Sequence, residues 1–285
     1  MAAVRRGEPL PLPQSMPTIL VIPNGAERNE ESPLPFQISI FNQLYMKQII
    51  YNDYTELSVK TAEQITTVIN NKPESLLCFP AGETSVGTFK HLIELNKNGK
   101  VSFKKCRIVG LDEWANIGEM KSENCFSFLK KHFFDHIDYS SENLCFFDGE
   151  SSDLEKECKK TDDFIKKFGP VDMMLLGAGM NGHLGLNEPG TSFDLYSHIV
   201  NLDDTTKIVG QKYFCGKVIL TKGITLGIKY IMEARMVILQ LNGKRKAEVV
   251  KKLIEGKVTS DFPASALKNH LNSYLLLDRE AAIFL

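Results

Sequence analysis

One histidine and one acid stand five residues apart in a glycine-rich segment, Leu175–Gly190 (LLGAGMNGHLGLNEPG). The apolar run Val171–Leu176 leads into this segment, which carries His183 and Glu188. Glycine lets a backbone approach a ligand closely and adopt positive φ, and a histidine near a carboxylate can form an acid–base pair. These residue types at this spacing predict a small-molecule active site.

Polar residues also follow two other predicted strands, each time leading into a helix. Gly82, Thr84 and Ser85 follow the strand that ends at Phe79, and Lys246 follows the strand that ends at Leu241. A helix N-terminus with hydroxyls and a lysine favours an anion. Helix capping by Thr84 or Ser85 and a solvated basic turn would account for the same residues.

Two adjacent acids, Asp112 and Glu113, come directly after the predicted strand Arg107–Leu111. A carboxylate in this position acts either as a helix cap or as a catalytic base. In open α/β sheets, ligands bind beyond the carboxyl ends of the strands. The four strand ends are therefore expected to meet around one ligand.

Nucleotide and metal sites are disfavoured by the sequence. The P-loop pattern G-x-x-x-x-G-K-[ST] is absent. Gly177–Gly182 (GAGMNG) matches the dinucleotide fingerprint, with Asp203 about 20 residues further on, but the glycines and proline of Leu184–Gly190 oppose the helix that this fingerprint must open. His183 and Glu188 are candidate metal ligands without a Cys/His cluster or H-E-x-x-H motif, so no metal or cofactor is predicted.

Strands and helices alternate along the chain after residue 46. The predicted strands are Leu76–Phe79, Arg107–Leu111, Leu144–Phe147, Val171–Leu176, Val237–Leu241 and Tyr274–Leu277. The predicted helices are Thr55–Asn70, Val86–Asn96, Ser127–His136, a helix from a capping box at Ser152 and Glu155 to Gly169, Gly223–Ala234, and Lys244–Gly256.

This alternation predicts an α/β fold with one doubly wound, mostly parallel sheet and helices on both of its faces. The sequence after residue 46 has no internal repeat and no clear linker, so residues 46–285 are predicted to form a single Rossmann-like domain. Residues 1–45 are rich in proline and are predicted to form a partly disordered N-terminal extension.

The overall composition argues against several classes of partner. The chain has 34 basic and 35 acidic residues and a formal net charge of −1, which gives no electrostatic basis for nucleic acid or an anionic membrane as the main partner. No apolar run approaches the ~18 residues that span a bilayer. The six cysteines form no C-x-x-C pair, which fits a reducing compartment and predicts a cytoplasmic protein.

Four motifs occur in order along the chain: Leu111–Trp114 (LDEW), Gly177–Pro189 (GAGMNGHLGLNEP), Gly223–Gly227 (GITLG) and Phe262–Ser265 (FPAS). Together they resemble the glucosamine-6-phosphate deaminase/isomerase family over about residues 46–280, and within it they are most similar to the galactosamine-6-phosphate isomerase/deaminase branch. The resemblance implies conversion of a 2-amino-2-deoxyhexose 6-phosphate to a ketose 6-phosphate with release of ammonia. It implies no metal or redox cofactor, and homo-oligomers are common in the family.

The resemblance also implies a role for each candidate residue. His183 opens the pyranose ring, Asp112 moves a proton between C2 and C1, and Glu188 orients or charges the histidine. The loop Gly82–Ser85 and Lys246 hold the phosphate. General chemistry agrees, because histidine both accepts and donates a proton near neutral pH and aldose–ketose isomerisation needs a carboxylate base.

Three positions depart from the pattern of the glucosamine members. Asn181 stands where they have an aspartate; it can accept a hydrogen bond from the imidazole but cannot stabilise the imidazolium by charge, and the galactosamine branch also uses asparagine. Glu83 lies in the phosphate loop, where a small residue is usual, and would repel a phosphate unless it points away. Lys212 is the nearest equivalent of an arginine that contacts the phosphate.

Two other functions remain open from the sequence. A 6-phosphogluconolactonase-type hydrolase would share the fold and the Gly-x-His loop, but such enzymes typically lack the Asn-Glu-Pro that follows the histidine. A non-catalytic regulator that binds sugar phosphates is suggested by Glu83 and Asn181. The set of Asp112, His183 and Glu188 argues against a regulator.

Overall fold

Ten strands and seven α-helices lie in residues 46–285, the part of the chain that the computed structural model describes. The predicted extension, residues 1–45, lies outside the described residues. In chain order the strands are β1 (Lys47–Tyr51), β2 (Leu76–Phe79), β3 (Arg107–Gly110), β4 (Asp112–Ala115), β5 (Leu144–Cys145), β6 (Met173–Leu176), β7 (His198–Asn201), β8 (Lys222–Thr225), β9 (Val237–Leu241) and β10 (Ser273–Asp278).

The helices alternate with these strands. They are α1 (Tyr54–Asn71), α2 (Glu83–Lys97), α3 (Cys125–His132), α4 (Leu154–Phe168), α5 (Asp204–Gly210), α6 (Ile228–Glu233) and α7 (Ala247–Glu255). None of the helices in residues 46–285 combines the length and the apolar character needed to cross a membrane.

The larger of two sheets has the strand order β1-β10-β9-β6-β2-β3-β5, and all of its neighbouring strands are parallel. After β2 the chain adds β3 and β5 on one side, and β6 then starts the other side. The order therefore reverses between β2 and β6, the topological switch point where α/β sheets bind ligands.

Helices cover both faces of this sheet because alternate strand residues point to opposite sides. Leu77 and Phe79 of β2 join an apolar cluster with residues of α1, α2 and α3. Leu76 and Cys78 join a second cluster with residues of α4, α6 and α7. The predicted doubly wound, mostly parallel α/β fold is confirmed.

A second, antiparallel sheet with the order β4-β8-β7 corrects one predicted element. The predicted helix Gly223–Ala234 is wrong in its first half, where β8 occupies Lys222–Thr225, and right in its second half, where α6 covers Ile228–Glu233. A Cβ at Gly223 would lie 2.2 Å from the Leu186 side chain, so the strand fits only with glycine there. Pairing with strands on both sides therefore overrides the helical pattern; β1, β4, β7 and α5 were not predicted.

Several helix starts also differ from the predictions, by two residues at α3 and by three residues at α2 and α7. α2 begins at Glu83, three residues before the predicted Val86. The side chain that caps α4 is Asp153, which accepts the backbone N–H of Lys156 at 3.0 Å, and not Ser152. The earlier start of α2 matters for the site, because it places the polar residues after β2 in the first turn of that helix.

Candidate active site

A cavity of about 860 Å³ lies beyond the carboxyl ends of the large sheet, within the ~300–1,000 Å³ usual for small-molecule sites. Residues that follow β2, β3, β6 and β9 line it, so the four strand ends meet around one space. The candidate residues that line the cavity are Gly82, Thr84, Ser85, Asp112, His183, Lys212 and Lys246.

Two side chains contact the Nδ1 atom of His183. A Glu188 carboxylate oxygen lies 3.3 Å from Nδ1, and the Thr206 hydroxyl oxygen lies 3.1 Å from it. The imidazole keeps 19% of its side-chain surface exposed, whereas Glu188 keeps 6%. A proton on Nδ1 faces an acceptor, which leaves the lone pair of Nε2 available to a ligand.

Glycines shape the loop around this histidine. A Cβ at Gly179 would lie 2.4 Å from Cε1 and Nε2 of His183, so a larger residue would displace the imidazole. Gly182 and Gly185 have φ of 83° and 58°, in the left-handed region that favours glycine. Residues 177–189 contain no helix, in agreement with the rejection of a dinucleotide fingerprint.

Asn181 contacts Glu188 and the main chain of His183. Its Nδ2–H donates to Glu188 Oε2 at 2.9 Å, and its Oδ1 accepts the backbone N–H of His183 at 3.2 Å. The hydrogen bond predicted from the imidazole to Asn181 is not formed, because Nδ1 of His183 contacts Glu188 and Thr206 instead. Asn181 and Glu188 lie behind His183 and not among the residues that line the cavity.

Glu188 is held in its charged form. Burial on its own would raise the pKa of Glu188, but hydrogen bonding and charge from His183, together with Thr206 and Asn181, outweigh burial and lower that pKa below its usual value. A second anchor fixes the carboxylate, since the backbone N–H of Asp203 donates to Glu188 Oε1 at 3.2 Å. An ionised carboxylate beside the imidazole can stabilise the imidazolium.

Asp112 and Glu113 have opposite surroundings, because successive strand residues point to opposite sides. Asp112 begins β4 and lines the cavity. Glu113 is buried on the other side, where its carboxylate accepts the backbone N–H groups of Cys125 at 2.9 Å and Phe126 at 3.0 Å. Glu113 thus satisfies N–H groups at the start of α3, and Asp112 is the acid that faces the cavity.

The Asp112 carboxyl group can exchange a proton near neutral pH. Burial and, to a smaller extent, the negative charge of Glu113 raise the pKa of Asp112 to about 7, against the opposing effect of His183. The influence of His183 also means that the two groups lie within electrostatic reach of each other. A carboxyl group with such a pKa suits both taking up and returning a proton.

The first turn of α2 lies at the cavity wall. Gly82 is the N-cap of α2, and the helix begins at Glu83. Thr84 and Ser85 therefore belong to the first turn and do not cap the helix. The positive end of the dipole of this 15-residue helix is therefore next to the cavity. This arrangement favours an anionic group of a ligand.

Lys246 adds a positive charge near this helix end. Its Nζ donates to the carbonyl oxygen of Ala178 at 2.6 Å. Burial first, and the charge of Lys212 second, lower the pKa of Lys246 to about 8. An anion bound nearby would favour the charged form, so α2 and Lys246 together form a candidate anion cradle.

The second lysine, Lys212, is paired with an acid. It lies on the 3₁₀ turn Gln211–Tyr213, and its Nζ is 2.9 Å from Glu83 Oε2. Both side chains line the edge of the cavity, and 73% of the Glu83 side chain is exposed. The acid in the predicted phosphate loop therefore points along the cavity edge to Lys212.

Thr206 is a site residue that the sequence analysis missed. It is almost fully buried and lies on α5, whose N-cap Asp203 accepts the backbone N–H of Thr205 at 2.8 Å. An aspartate before two threonines is a usable helix-start signal, but α5 has seven residues and is too short to show helical periodicity.

Residues 46–285 hold no group of three or more His, Cys, Asp or Glu side chains that could bind a metal ion.

Comparisons with known proteins agree with the resemblance. The sequence model of the family "Glucosamine-6-phosphate isomerases/6-phosphogluconolactonase" matches residues 53–275. The glucosamine-6-phosphate deaminase of Bacillus pumilus (strain SAFR-032) is 38% identical over 237 residues, which cover 83% of this chain and 98% of that protein. The glucosamine-6-phosphate deaminase of Thermoanaerobacter sp. (strain X514) is 37% identical over 238 residues, which cover 83% of this chain and 94% of that protein.

Solved structures show the same fold. A monomeric glucosamine-6-phosphate deaminase has a TM-score of 0.81 at 37% identity, over 84% of this chain and 100% of its own. The 6-phosphogluconolactonase from Trypanosoma brucei has a TM-score of 0.67 at 18% identity, over 85% of this chain and 99% of its own, which shows a shared fold alone. Because the family model spans well over half of this chain and several relatives exceed 30% identity, the chain belongs to the family of glucosamine-6-phosphate isomerases and 6-phosphogluconolactonases.

Proposed function

We propose that this protein isomerises and deaminates an amino-sugar 6-phosphate, producing a ketohexose 6-phosphate and ammonia. The observation that carries the proposal is the meeting of three groups in one cavity. These are an imidazole backed by a buried carboxylate, a second carboxyl group with a pKa of about 7, and an anion cradle. Its relatives at 34–38% identity are named glucosamine-6-phosphate deaminases, which supports the same reaction.

His183 opens the sugar ring in this proposal. Nε2 accepts the proton of the C1 hydroxyl and delivers it to the ring oxygen as the bond between C1 and that oxygen breaks. The open-chain aldehyde results without net gain or loss of a proton. Glu188 stabilises the imidazolium that forms in between, since the two groups are 3.3 Å apart.

Asp112 then carries a proton from C2 to C1. Its ionised carboxylate removes the C2 proton while the ammonium group of the substrate gives a proton to the aldehyde oxygen, which forms a neutral enolamine. The protonated carboxyl group then returns its proton to C1. An imine remains at C2; water adds to that carbon, and ammonia leaves as the ketone forms. The raised pKa of Asp112, about 7, suits a group that must work in both directions.

The phosphate is bound by the first turn of α2, Lys246 and Lys212 in this proposal. It lies remote from the reacting carbons, so its binding energy orients the substrate rather than taking part in bond breaking. Asn181 has a positioning role, since it contacts Glu188 and the main chain of His183.

The alternatives receive less support. Likeness to 6-phosphogluconolactonases is at 16–19% identity among the similar structures and concerns the fold, whereas the deaminases named above are similar in sequence as well. A non-catalytic regulator would not need Asp112 and His183 in one cavity. The Asn-Glu-Pro sequence after the histidine also favours a deaminase.

We propose that the substrate is galactosamine 6-phosphate or glucosamine 6-phosphate. The motifs Leu111–Trp114, Gly177–Pro189 and Gly223–Gly227 resemble the galactosamine-6-phosphate branch of the family, while the relatives named in the comparisons are glucosamine-6-phosphate deaminases. The ratio of kcat/KM for the two epimers decides which is preferred.

The decisive experiment measures ammonia release from both amino-sugar phosphates by the purified protein. We expect release that depends on Asp112, so Asp112→Asn serves as the folded control, checked by circular dichroism. A folded wild-type protein that releases no ammonia from either sugar would overturn the proposal. Lactone hydrolysis without ammonia release would favour the hydrolase, and tight binding without turnover the regulator.

We also infer a cytoplasmic enzyme, because all six cysteines are unpaired and five of them are buried. A homo-oligomer remains our expectation from the family, although one structural relative is described as monomeric. Light scattering of the purified protein measures the oligomeric state directly, and a single species with the mass of one chain would contradict the expectation.

A further inference from the structure

We infer that Glu83 weakens substrate binding by competing with the substrate phosphate for Lys212. The inference rests on the proposed function, since it takes the substrate to carry a phosphate. Glu83 would thus set the affinity of the site without taking part in the reaction.

The two side chains form an ion pair at the edge of the cavity. Lys212 Nζ lies 2.9 Å from Glu83 Oε2 and 4.9 Å from the centre of the Tyr213 ring. The Lys212 side chain is 43% exposed, so its ammonium group is accessible to a ligand as well as to Glu83. A carboxylate therefore occupies the partner position that a phosphate oxygen would take.

The cavity is lined by both basic and acidic residues, and Glu83 and Lys212 are the pair among them that forms an ion pair in the described part of the chain. The basic residues that line the cavity are Lys212, Lys244, Arg245 and Lys246, and the acidic ones are Glu83, Asp112, Glu123 and Glu280. Within the described residues, Glu83 is the lining acid that forms an ion pair with a lining base. The cradle thus has two lysines near each other, of which Lys246 donates to a carbonyl oxygen and Lys212 to a carboxylate.

A bound phosphate would compete with Glu83 for the ammonium group of Lys212. Lys212 must leave Glu83 or be shared with it, and a shared lysine keeps the carboxylate near the dianion. Either outcome reduces the net gain from binding. An exposed ion pair corresponds to a factor of about two to five in a binding constant, and this is the size of the expected effect.

The position of Glu83 allows a clean substitution. It is the first residue of α2 and its side chain is exposed, while the Tyr54 hydroxyl holds the backbone by donating to the carbonyl oxygens of Glu83 and Thr84 at 3.2 and 2.9 Å. Glu83→Gln removes the charge and keeps the length of the side chain, so the helix start is expected to persist.

The first measurement compares KM and kcat for the amino-sugar phosphate, and Kd for inorganic phosphate, in wild type and Glu83→Gln. Both KM and Kd should fall by about twofold to fivefold with kcat unchanged. Glu74→Gln is the matched control, because exposed Glu74 precedes β2 at the opposite edge of the sheet. Unchanged or raised KM and Kd in Glu83→Gln would overturn the inference.

A double-mutant cycle separates competition from simple repulsion. Lys212→Gln alone should raise KM and the Kd for phosphate. If Glu83 acts through Lys212, adding Glu83→Gln to Lys212→Gln should change neither constant further. If the second substitution still lowers both by the same factor, Glu83 repels the phosphate directly and competition for Lys212 is overturned.

Failure of the proposed function would look different. Binding of inorganic phosphate needs no turnover, so titration calorimetry reports on Glu83 even if no ammonia is released. A tighter Kd in Glu83→Gln without ammonia release by the wild type would contradict the reaction and support the role of Glu83.

Discussion

Glu188 and Thr206 share one nitrogen of His183, although they come from different segments of the chain. The carboxylate supplies charge, and the hydroxyl of α5 supplies a hydrogen bond of 3.1 Å. The first relation could be proposed from the sequence, because both residues lie in one motif. The second could not, since 23 residues separate Thr206 from His183 and no local pattern joins them.

Thr206→Val should lower kcat about tenfold, because it removes one hydrogen bond from a side chain that becomes charged during ring opening. KM should change little, since the phosphate cradle lies elsewhere. Thr206→Ser keeps the hydroxyl and is the matched control. Steady-state kinetics and a thermal midpoint for both variants test this prediction; an equal loss of kcat in both would show that the hydroxyl is not what matters.

The pH dependence of kcat/KM should be bell-shaped. Asp112 must be ionised to accept the C2 proton, so activity rises as pH increases through its pKa of about 7. Lys246 must be charged to hold the phosphate, so activity falls as pH increases through its pKa of about 8. Rates measured from pH 5.5 to 9.5 test both limits.

Lys246→Arg separates the two limits of this profile. A guanidinium stays charged throughout this range, so the decline on the alkaline side should move to higher pH while the acidic side stays in place. An alkaline limit that is the same in both proteins would assign it to another group, such as the substrate amine.

At the scale of elements, Glu113 links β4 to α3 by accepting N–H groups at the start of that helix. Glu113→Gln would turn an NH₂ group toward a backbone donor, which leaves a buried group unpaired. We expect the free energy of unfolding to fall by about 1–3 kcal/mol. Urea denaturation of Glu113→Gln, beside exposed Glu142→Gln as control, measures this; equal stability of the two variants would contradict the linking role.

Most of the central sheet could be predicted because the buried parallel strands β2, β3, β5, β6, β9 and β10 lie in short apolar runs that end at proline, glycine, asparagine or an acid. Leu76–Phe79 and Val237–Leu241 are observed with the predicted bounds. The antiparallel sheet could not be predicted, since β8 (Lys222–Thr225) depends on partners far away in the chain. Considered without β4 and β7, the sequence Gly223–Ala234 predicts a helix, and the pairing of β8 with those two strands makes its first residues a strand.

The candidate site followed from one rule about whole α/β sheets, that ligands bind beyond the carboxyl ends of the strands. This rule correctly brought together segments as distant as Gly82 and Lys246. It could not show which acid of Asp112 and Glu113 faces the cavity, because that depends on the pleat of β4. Nor could it show that Glu83 pairs with Lys212, a contact between residues 129 positions apart.

For the whole chain, we propose that the catalytic domain begins at residue 46. A variant without residues 1–45 should keep its ammonia release, because the cavity is lined entirely by residues from 54 onward in the described part of the chain. Comparing kcat/KM of the shortened and full-length proteins tests this. A loss of activity in a shortened protein that remains folded would give residues 1–45 a role in the reaction.

The central claim is that His183 opens the ring while Asp112 carries the proton between carbons, and one measurement separates these roles. The substrate is labelled with deuterium at C2, and the label at C2 and C1 is followed by NMR during ammonia release. In the wild type, deuterium should leave C2 as ammonia appears. In Asp112→Asn it should stay at C2, with ammonia release slower by about 10²- to 10⁴-fold, while the anomers still interconvert. Loss of deuterium from C2 at the wild-type rate in Asp112→Asn would contradict the account.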